Sequence, residues 1–161
     1  MGCDTLFSCL AYAASKDLEI HQLDAVAAYL NSDLTEEIYL SPPDGIPSTP
    51  GKVWRLKKAL YSLKQAGLEW YSTLRTHIQS LGYAQSGHDP CLYTFDSERF
   101  LVVYVDNLLL FSPKSQLAQA KSELAGKYEM HDLGKARWFL VMEITCDRVA
   151  WTISIDQHQY I

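Results

Sequence analysis

Residues 100–111, FLVVYVDNLLLF, place two apolar stretches on either side of a polar pair, Asp106 and Asn107. Short runs of β-branched, aromatic and aliphatic residues predict strands, and Asp and Asn are favoured in the tight turns between antiparallel strands. Both strands are apolar on each face, which indicates that they are buried. The stretch therefore predicts a central β-hairpin with Asp106–Asn107 as its turn.

A second carboxylate ends another predicted strand. Residues 18–24, LEIHQLD, alternate between apolar and polar side chains and end at Asp24. If the two strands are neighbours, Asp24 and Asp106 converge at one edge of the sheet. Two close carboxylates repel each other, and a divalent cation relieves that repulsion. Mg²⁺ suits a site with few carboxylates, bound water and substrate phosphates.

The rest of the chain interleaves helices and strands without a regular βαβ rhythm. The spacing of Leu68, Tyr71, Leu74, Ile78 and Leu81 predicts an amphipathic helix that ends at Gly82. Other segments predict a helix around Leu6–Ala14, a helix over 114–127, strands in EEIYL, KVWRL and CLYTF, and a final strand pair turning near Asp147. This order favours an α+β fold, an antiparallel sheet with helices packed on one face.

Composition limits the class of protein. The 161 residues suit a single domain, and 48% of them are hydrophobic, enough for a sizeable core. No run of roughly 18 apolar residues predicts a membrane span, so no membrane partner is expected. The four cysteines lack metal-binding spacing and predict reduced, mostly buried thiols of an intracellular protein of the cytoplasm or nucleus.

Charge is unevenly distributed along the chain. The net charge of −5 argues against nucleic-acid binding by the whole surface. Residues 51–75, however, contain six basic side chains against one acidic side chain. Such a basic band can track a phosphate backbone, but charge alone favours the simpler interpretation, a solvated basic face.

Three segments in the first part of the chain resemble motifs of one family. Residues 21–46, HQLDAVAAYLNSDLTEEIYLSPPDGI, resemble HQxDVxxAFLNGxLxEEIYMxxPxGF of copia-type LTR retrotransposon reverse transcriptases. Residues 53–71, VWRLKKALYSLKQAGLEWY, resemble VxxLKKALYGLKQAPRAWY, and residues 86–93, SGHDPCLY, resemble SxxDPCLY.

Three later segments follow in the order of the same family. Residues 101–111, LVVYVDNLLLF, resemble the LxVYVDDILI hairpin. Residues 128–144, YEMHDLGKARWFLVMEI, resemble FxMKDLGxxxxFLGIEI, and residues 155–161, IDQHQYI, resemble LSQxxYI. The resemblance implies a palm with partial fingers, spanning 1–161 as a single truncated domain, and RNA-directed DNA polymerase chemistry.

The resemblance also implies roles for individual residues. Asp24 and Asp106 match the family's metal-binding carboxylates, and Asn107 stands where the family has a further catalytic Asp. The resemblance implies Mg²⁺ or Mn²⁺ as cofactor, with a nucleic-acid template-primer and a deoxynucleotide triphosphate as partners. The nucleotide-binding positions it implies are Ala25 through its carbonyl, Tyr29 as a steric gate against a ribose 2′-OH, Lys64 and Gln65. From the residues alone, Tyr29 is better explained as a core aromatic, and Lys64 and Gln65 as ordinary polar residues at a helix start.

The chain departs from the family pattern at several positions. Asn107 removes a charge from the metal site, which would lower the rate by about 10²–10⁴. Ser32, Ser62 and Val141 replace glycines, and Gly67–Leu68 replace Pro-Arg. The upstream fingers segment, a thumb and an RNase H domain are also missing from the sequence. These departures predict a nucleotidyltransferase-like fold that is degenerate, domesticated and weak or inactive as a polymerase.

Two alternatives remain open at this point. An active minimal polymerase would need Asp24 and Asp106 alone to hold the metals and a homodimer or another partner to grip the template-primer. A remnant recruited as a binding or interaction module, or as a non-polymerase enzyme, would use the old cleft. Asp24, Asp106 and His21 would then supply acid-base groups, although a surface location explains His21 more simply.

Overall fold

The computed structural model describes residues 2–47, 49 and 51–158. The described chain divides into two compact units, residues 1–26 with 77–161 and residues 27–76. Gln159, Tyr160 and Ile161 of the last family-like motif lie outside the described residues. The helices and strands are α1 (Cys3–Ser15), β1 (Glu19–Ala25), β2 (Tyr39–Leu40), β3 (Trp54–Arg55), α2 (Ala66–Ser80), β4 (Ala84–Gln85), β5 (Leu92–Thr94), β6 (Phe100–Tyr104), β7 (Asn107–Ser112), α3 (Leu117–Leu124), β8 (Met130–Lys135), β9 (Trp138–Phe139), β10 (Met142–Asp147) and β11 (Thr152–Asp156).

The larger unit is built on a six-stranded sheet in the order β4-β5-β6-β7-β1-β8, and each of its strand pairs is antiparallel. A three-stranded sheet, β11-β10-β9, belongs to the same unit. The mixed α+β class and the antiparallel sheet confirm the prediction. The predicted strands in EEIYL and KVWRL shrink to the two-residue pair β2–β3 of the smaller unit.

Helices cover both faces of the six-stranded sheet, so the prediction of helices on one face is wrong. Leu6 and Leu10 of α1 pack in one cluster with Ile20 and Leu109. On the opposite face, Lys121 of α3 lies 2.7 Å from Nδ1 of His21, which alternates with Ile20 along β1. Strands β6 and β7 explain this arrangement, because their apolar side chains are buried on both faces of the sheet. Each face must therefore be packed against other elements.

Helix α2 forms where it was predicted, and Leu74 and Ile78 of its predicted apolar face are buried, but Leu68 is not. Leu68 is 69% exposed, whereas Ala66, Trp70, Leu74 and Ile78 are buried. The Leu68 position is the one where the family pattern has Arg, which explains why an apolar residue there faces water. The helix ends as predicted, because Gly82 adopts a φ of +95°.

The cysteines also differ from the prediction. All four are free thiols, but Cys3 and Cys146 are exposed, Cys91 is half-buried and only Cys9 is buried. Burial, followed by the charge of Asp89, raises the pKa of Cys9 to about 11, so this thiol is unreactive at neutral pH.

Two turns hold non-glycine residues in the left-handed region, at positions where the family pattern has glycine. Val141 has a φ of +62° in the two-residue turn between β9 and β10, and Ser62 has a φ of +76°. Leu140, beside Val141, has a φ of +50°. A side chain in this region costs about 1–2 kcal/mol, more for β-branched residues.

The start of α1 is tied to the β4–β5 connection by Asp89. Its carboxylate accepts hydrogen bonds from Thr5 Oγ1 at 2.6 Å, Gly2 N at 3.0 Å and Cys91 N at 2.8 Å. Burial alone would raise the pKa of Asp89, but these hydrogen bonds outweigh it and lower the pKa to about 2. Asp89 therefore acts as a cap supplied from a distant part of the chain.

Replacing Asp89 by Asn is expected to lower the free energy of unfolding by about 2 kcal/mol at pH 7, because the ionised carboxylate holds three donors. The native pKa is depressed, so this contribution is present above the unfolded value of 3.8 and disappears as pH falls toward about 2. Urea unfolding at several pH values measures it. Asp44→Asn, in an exposed loop, is the control. A pH-independent loss, or an equal loss in the control, would contradict the prediction.

Replacing Val141 by Gly is expected to stabilise the protein by about 0.5–1 kcal/mol, because the relief of strain exceeds the entropy cost of glycine. Val149→Gly is the matched control, since Val149 is 93% exposed and does not have a positive φ. The control should be neutral or destabilising in urea unfolding. A loss of stability in Val141→Gly would show that the turn is unstrained.

Candidate nucleotidyl-transfer site

Strand pairing brings Asp24 and Asp106 together. Strands β1 and β7 pair so that Asp24 lies directly opposite Asn107. The backbone N–H of Ala25 donates to the carbonyl oxygen of Asp106 at 2.8 Å. Both aspartates are half-buried. The convergence predicted from the sequence is therefore present, at the end of β1.

The turn of the central hairpin lies one residue earlier than the sequence suggested. Tyr104 and Asn107 are paired, so Val105 and Asp106 form the two-residue turn and Asn107 begins β7. Val105 has a φ of +57°, which is unusual for a β-branched residue. Backbone strain of this kind is concentrated at functional sites. The register places Asp106, not Asn107, at the tip.

Electrostatics at the site disfavour two ionised carboxylates. Burial, and then the nearby charge of Asp106, raise the pKa of Asp24, while His131 opposes the shift. His131 lies directly opposite Asp24 on β8. A positive charge at this point would therefore stabilise the ionised pair.

The Asn107 side chain is hydrogen-bonded on both sides, to Asp106 and to Gln22. Its side-chain NH₂ donates to Asp106 Oδ1 at 3.1 Å, and its Oδ1 accepts a hydrogen bond from Gln22 Nε2 at 2.9 Å. Asn107 thus presents N–H groups to the carboxylate where the family pattern would present a second carboxylate. Its oxygen is occupied by Gln22.

The remaining predicted nucleotide-binding residues, Tyr29, Lys64 and Gln65, belong to the smaller unit. There the Tyr29 ring lies 4.5 Å from the ring of Tyr61, measured between centroids. Gln65 Nε2 donates to Glu36 at 3.2 Å.

His21 does not join the two aspartates, because it points to the opposite face of β1 from Asp24. It is half-buried and hydrogen-bonded to Lys121, so the expectation of a surface histidine is wrong. Burial, and then the charge of Lys121, lower the pKa of His21. An acid-base role shared with Asp24 and Asp106 has no geometric basis here.

Sequence reasoning missed two residues at the site. Gln22 precedes Asp24 by two positions on the same strand. Strand alternation could therefore have placed both side chains on the same face of the sheet. His131 had no such signal, because β8 is mostly exposed and its pairing with β1 is long-range.

The donor set fits a weakly held divalent cation. Among residues 2–47, 49 and 51–158, no three His, Cys, Asp or Glu side chains converge to hold a metal ion by themselves. The half-buried, mutually repelling pair Asp24 and Asp106 nevertheless matches Mg²⁺, which needs few carboxylates when water and phosphate complete its shell.

A reverse transcriptase (RNA-dependent DNA polymerase) family model matches residues 4–161. The chain belongs to this family. It is a copia-type reverse transcriptase domain, consistent with the order of its motifs and with its transposon relatives.

Three relatives illustrate the similarity. The Retrovirus-related Pol polyprotein from transposon TNT 1-94 of Nicotiana tabacum is 38% identical over 94% of this chain and 12% of its own length. The corresponding polyprotein from transposon RE1 of Arabidopsis thaliana is 31% identical over 94% of the chain and 11% of its own. The Transposon Ty1-DR4 Gag-Pol polyprotein of Saccharomyces cerevisiae is 37% identical over 66% of this chain and 7% of its own length. The chain thus spans about an eighth or less of the length of each of these polyproteins.

In the part of the domain that the structure describes, no helix is both long and apolar enough to cross a membrane.

Replacing Asp24 by Asn is expected to stabilise the cation-free domain by about 0.5–1 kcal/mol at pH 7, because it removes a half-buried charge that faces Asp106. The native pKa of Asp24 is raised, so the wild-type penalty is absent below the unfolded value of 3.8, grows as pH rises above it and is complete above the raised native pKa. Urea unfolding in EDTA at pH 3.5 and pH 7 measures it, with Asp44→Asn as control. Destabilisation at pH 7 would refute the repulsion.

Proposed function

We propose that this domain is the catalytic centre of an RNA-directed DNA polymerase whose activity is impaired by Asn107. The supporting observation is the hydrogen bonding of Asn107: its amide donates to Asp106 and its oxygen accepts from Gln22. One neutral residue therefore stands where the family pattern has a negatively charged cation ligand.

The proposed cation is Mg²⁺ or Mn²⁺, held by the carboxylates of Asp24 and Asp106. Bound there, it would lower the pKa of a primer 3′-hydroxyl and hold the triphosphate. Asp24 supplies a negative charge at the end of β1, and Asp106 supplies one in the β6–β7 turn. With two charges in place of three, cation affinity and transition-state stabilisation both fall.

The two compact units support a division of labour. We assign the larger unit, which contains the sheet and both aspartates, to the palm, and the smaller unit to partial fingers. Tyr29, Lys64 and Gln65 of the smaller unit are proposed to contact the incoming deoxynucleotide, with Tyr29 excluding ribonucleotides. Lys64 and the other basic side chains of residues 51–75 suit contacts to a template-primer backbone.

The same site explains why we propose impairment and not a new activity. The aspartate pair, the backbone bond from Ala25 to Asp106 and the hairpin turn are all present. The departure at this centre is confined to one side chain, and that side chain still fills its place with satisfied hydrogen bonds.

Replacing Asn107 by Asp is expected to raise primer extension by about 10²-fold or more and Mn²⁺ affinity by about tenfold, because a charge returns to the cation site. Extension of a DNA primer on an RNA template with Mg²⁺ or Mn²⁺ measures the first, and calorimetric titration measures the second. Asp106→Ala should show neither extension nor tight Mn²⁺ binding.

Two outcomes would overturn the proposal. Robust extension by the wild-type domain, abolished in Asp106→Ala, would show that Asn107 does not impair the centre. Unchanged Mn²⁺ affinity in Asn107→Asp would show that residue 107 is not part of the cation site.

A further inference from the structure

A chain of two hydrogen bonds connects the middle of β1 to the carboxylate at the hairpin turn. Gln22 Nε2 donates to Asn107 Oδ1 at 2.9 Å, and Asn107 Nδ2 donates to Asp106 Oδ1 at 3.1 Å. All three side chains are half-buried. Gln22 stands at the Gln of the HQxD pattern quoted above, but the resemblance assigned it no part in the site.

The direction of this chain follows from the charge of Asp106. An ionised carboxylate can only accept hydrogen bonds, so Asn107 must present its NH₂ group to Asp106. The amide oxygen of Asn107 must then face Gln22, and Gln22 must donate through Nε2. Each amide orientation is therefore determined by the next group, and neither can reverse without losing a hydrogen bond.

Strand β1 is a rigid support for this chain. It lies between β7 and β8 and pairs with both, so the backbone of Gln22 is fixed on two sides. The same strand also holds the turn through Ala25, whose N–H donates to the carbonyl of Asp106. Asp106 is thus held from β1 at its backbone and, through Asn107, at its carboxylate.

We propose that Gln22 is a positioning residue of the nucleotidyl-transfer site, which fixes the Asp106 carboxylate beside Asp24 by orienting Asn107. The inference rests on the proposed function. The chain engages Oδ1 of Asp106 and so fixes the orientation of the carboxylate that would hold the cation. Gln22 Nε2 could donate equally well to a carboxylate at position 107, so the same support would serve the variant Asn107→Asp.

A purely structural tie is the competing explanation, in which the Gln22–Asn107 bond only strengthens the β1–β7 pair. Gln22→Met separates the two, because Met matches the length of Gln but cannot donate. A structural tie predicts lower stability and unchanged cation affinity. Positioning predicts weaker cation binding even where the variant is fully folded.

The first measurement is Mn²⁺ affinity in a double-mutant cycle of Gln22→Met and Asn107→Ala, with near-ultraviolet circular dichroism to confirm folding. We expect Gln22→Met to weaken Mn²⁺ binding by about 3–10-fold, as loss of one hydrogen bond in a charge-assisted chain would. The double variant should bind no more weakly than Asn107→Ala. Gln79→Met, on the exposed side of α2, is the control and should bind like the wild type.

The second measurement needs no metal. Nuclear magnetic resonance relaxation of the Asn107 side-chain NH₂ reports how firmly it is held. We expect an ordered NH₂ group in the wild type and in Gln79→Met, and a mobile one in Gln22→Met.

The outcomes separate this inference from the proposed function. The positioning role is overturned if the Asn107 amide is as ordered in Gln22→Met as in the wild type. It is also overturned if the fold-losses of Mn²⁺ affinity in Gln22→Met and Asn107→Ala multiply in the double variant, because the two residues then act independently. Absence of Mn²⁺ binding to the wild type, with Asn107 still ordered by Gln22, overturns the proposed cation site and supports the positioning of Asp106.

Discussion

The pairing of β1 with β7 is the constraint on which the site depends. It places Asp24 opposite Asn107 and lets Ala25 hold the carbonyl of Asp106. A slip of one residue would turn Asp24 to the opposite face of the sheet. The apolar core prevents that slip, because Ile20 lies opposite Phe111 and both are buried in the cluster beneath α1. Hydrophobic packing at one end of β1 thus sets the position of a carboxylate at the other.

Sequence patterns predicted what depends on local alternation, whereas contacts made by distant pairing were found only where another signal pointed to them. The hairpin β6–β7 was predicted because apolar runs are local signals. The meeting of Asp24 with Asp106 depends on the distant pairing of β1 with β7, and it was predicted because both residues end strands and both match the family's metal-binding carboxylates. The turn register was wrong by one residue, since Asp-Asn is typical of turns and Val105 is not. His131 could not be predicted, because its position opposite Asp24 is set by a pairing of distant segments. Leu68 was misassigned to a buried face because apolar spacing cannot distinguish a core position from a substituted surface position.

The departures from the family pattern are not physically equivalent. Ser62 and Val141 stand at family glycines and adopt a positive φ, so these positions require a conformation that only glycine takes without strain. Ser32 also replaces a glycine, yet its φ is −103°, which any residue adopts. Two of the three replacements therefore add strain to the fold, whereas the third adds none.

Asn107 illustrates how stability and cation binding oppose each other at this site. Asp24 already carries a raised pKa because of burial and Asp106, so a third carboxylate would add repulsion to a cation-free fold. An amide at position 107 removes that charge and converts repulsion into a hydrogen bond to Asp106, completed by Gln22. The change favours the protein alone and disfavours its proposed cation.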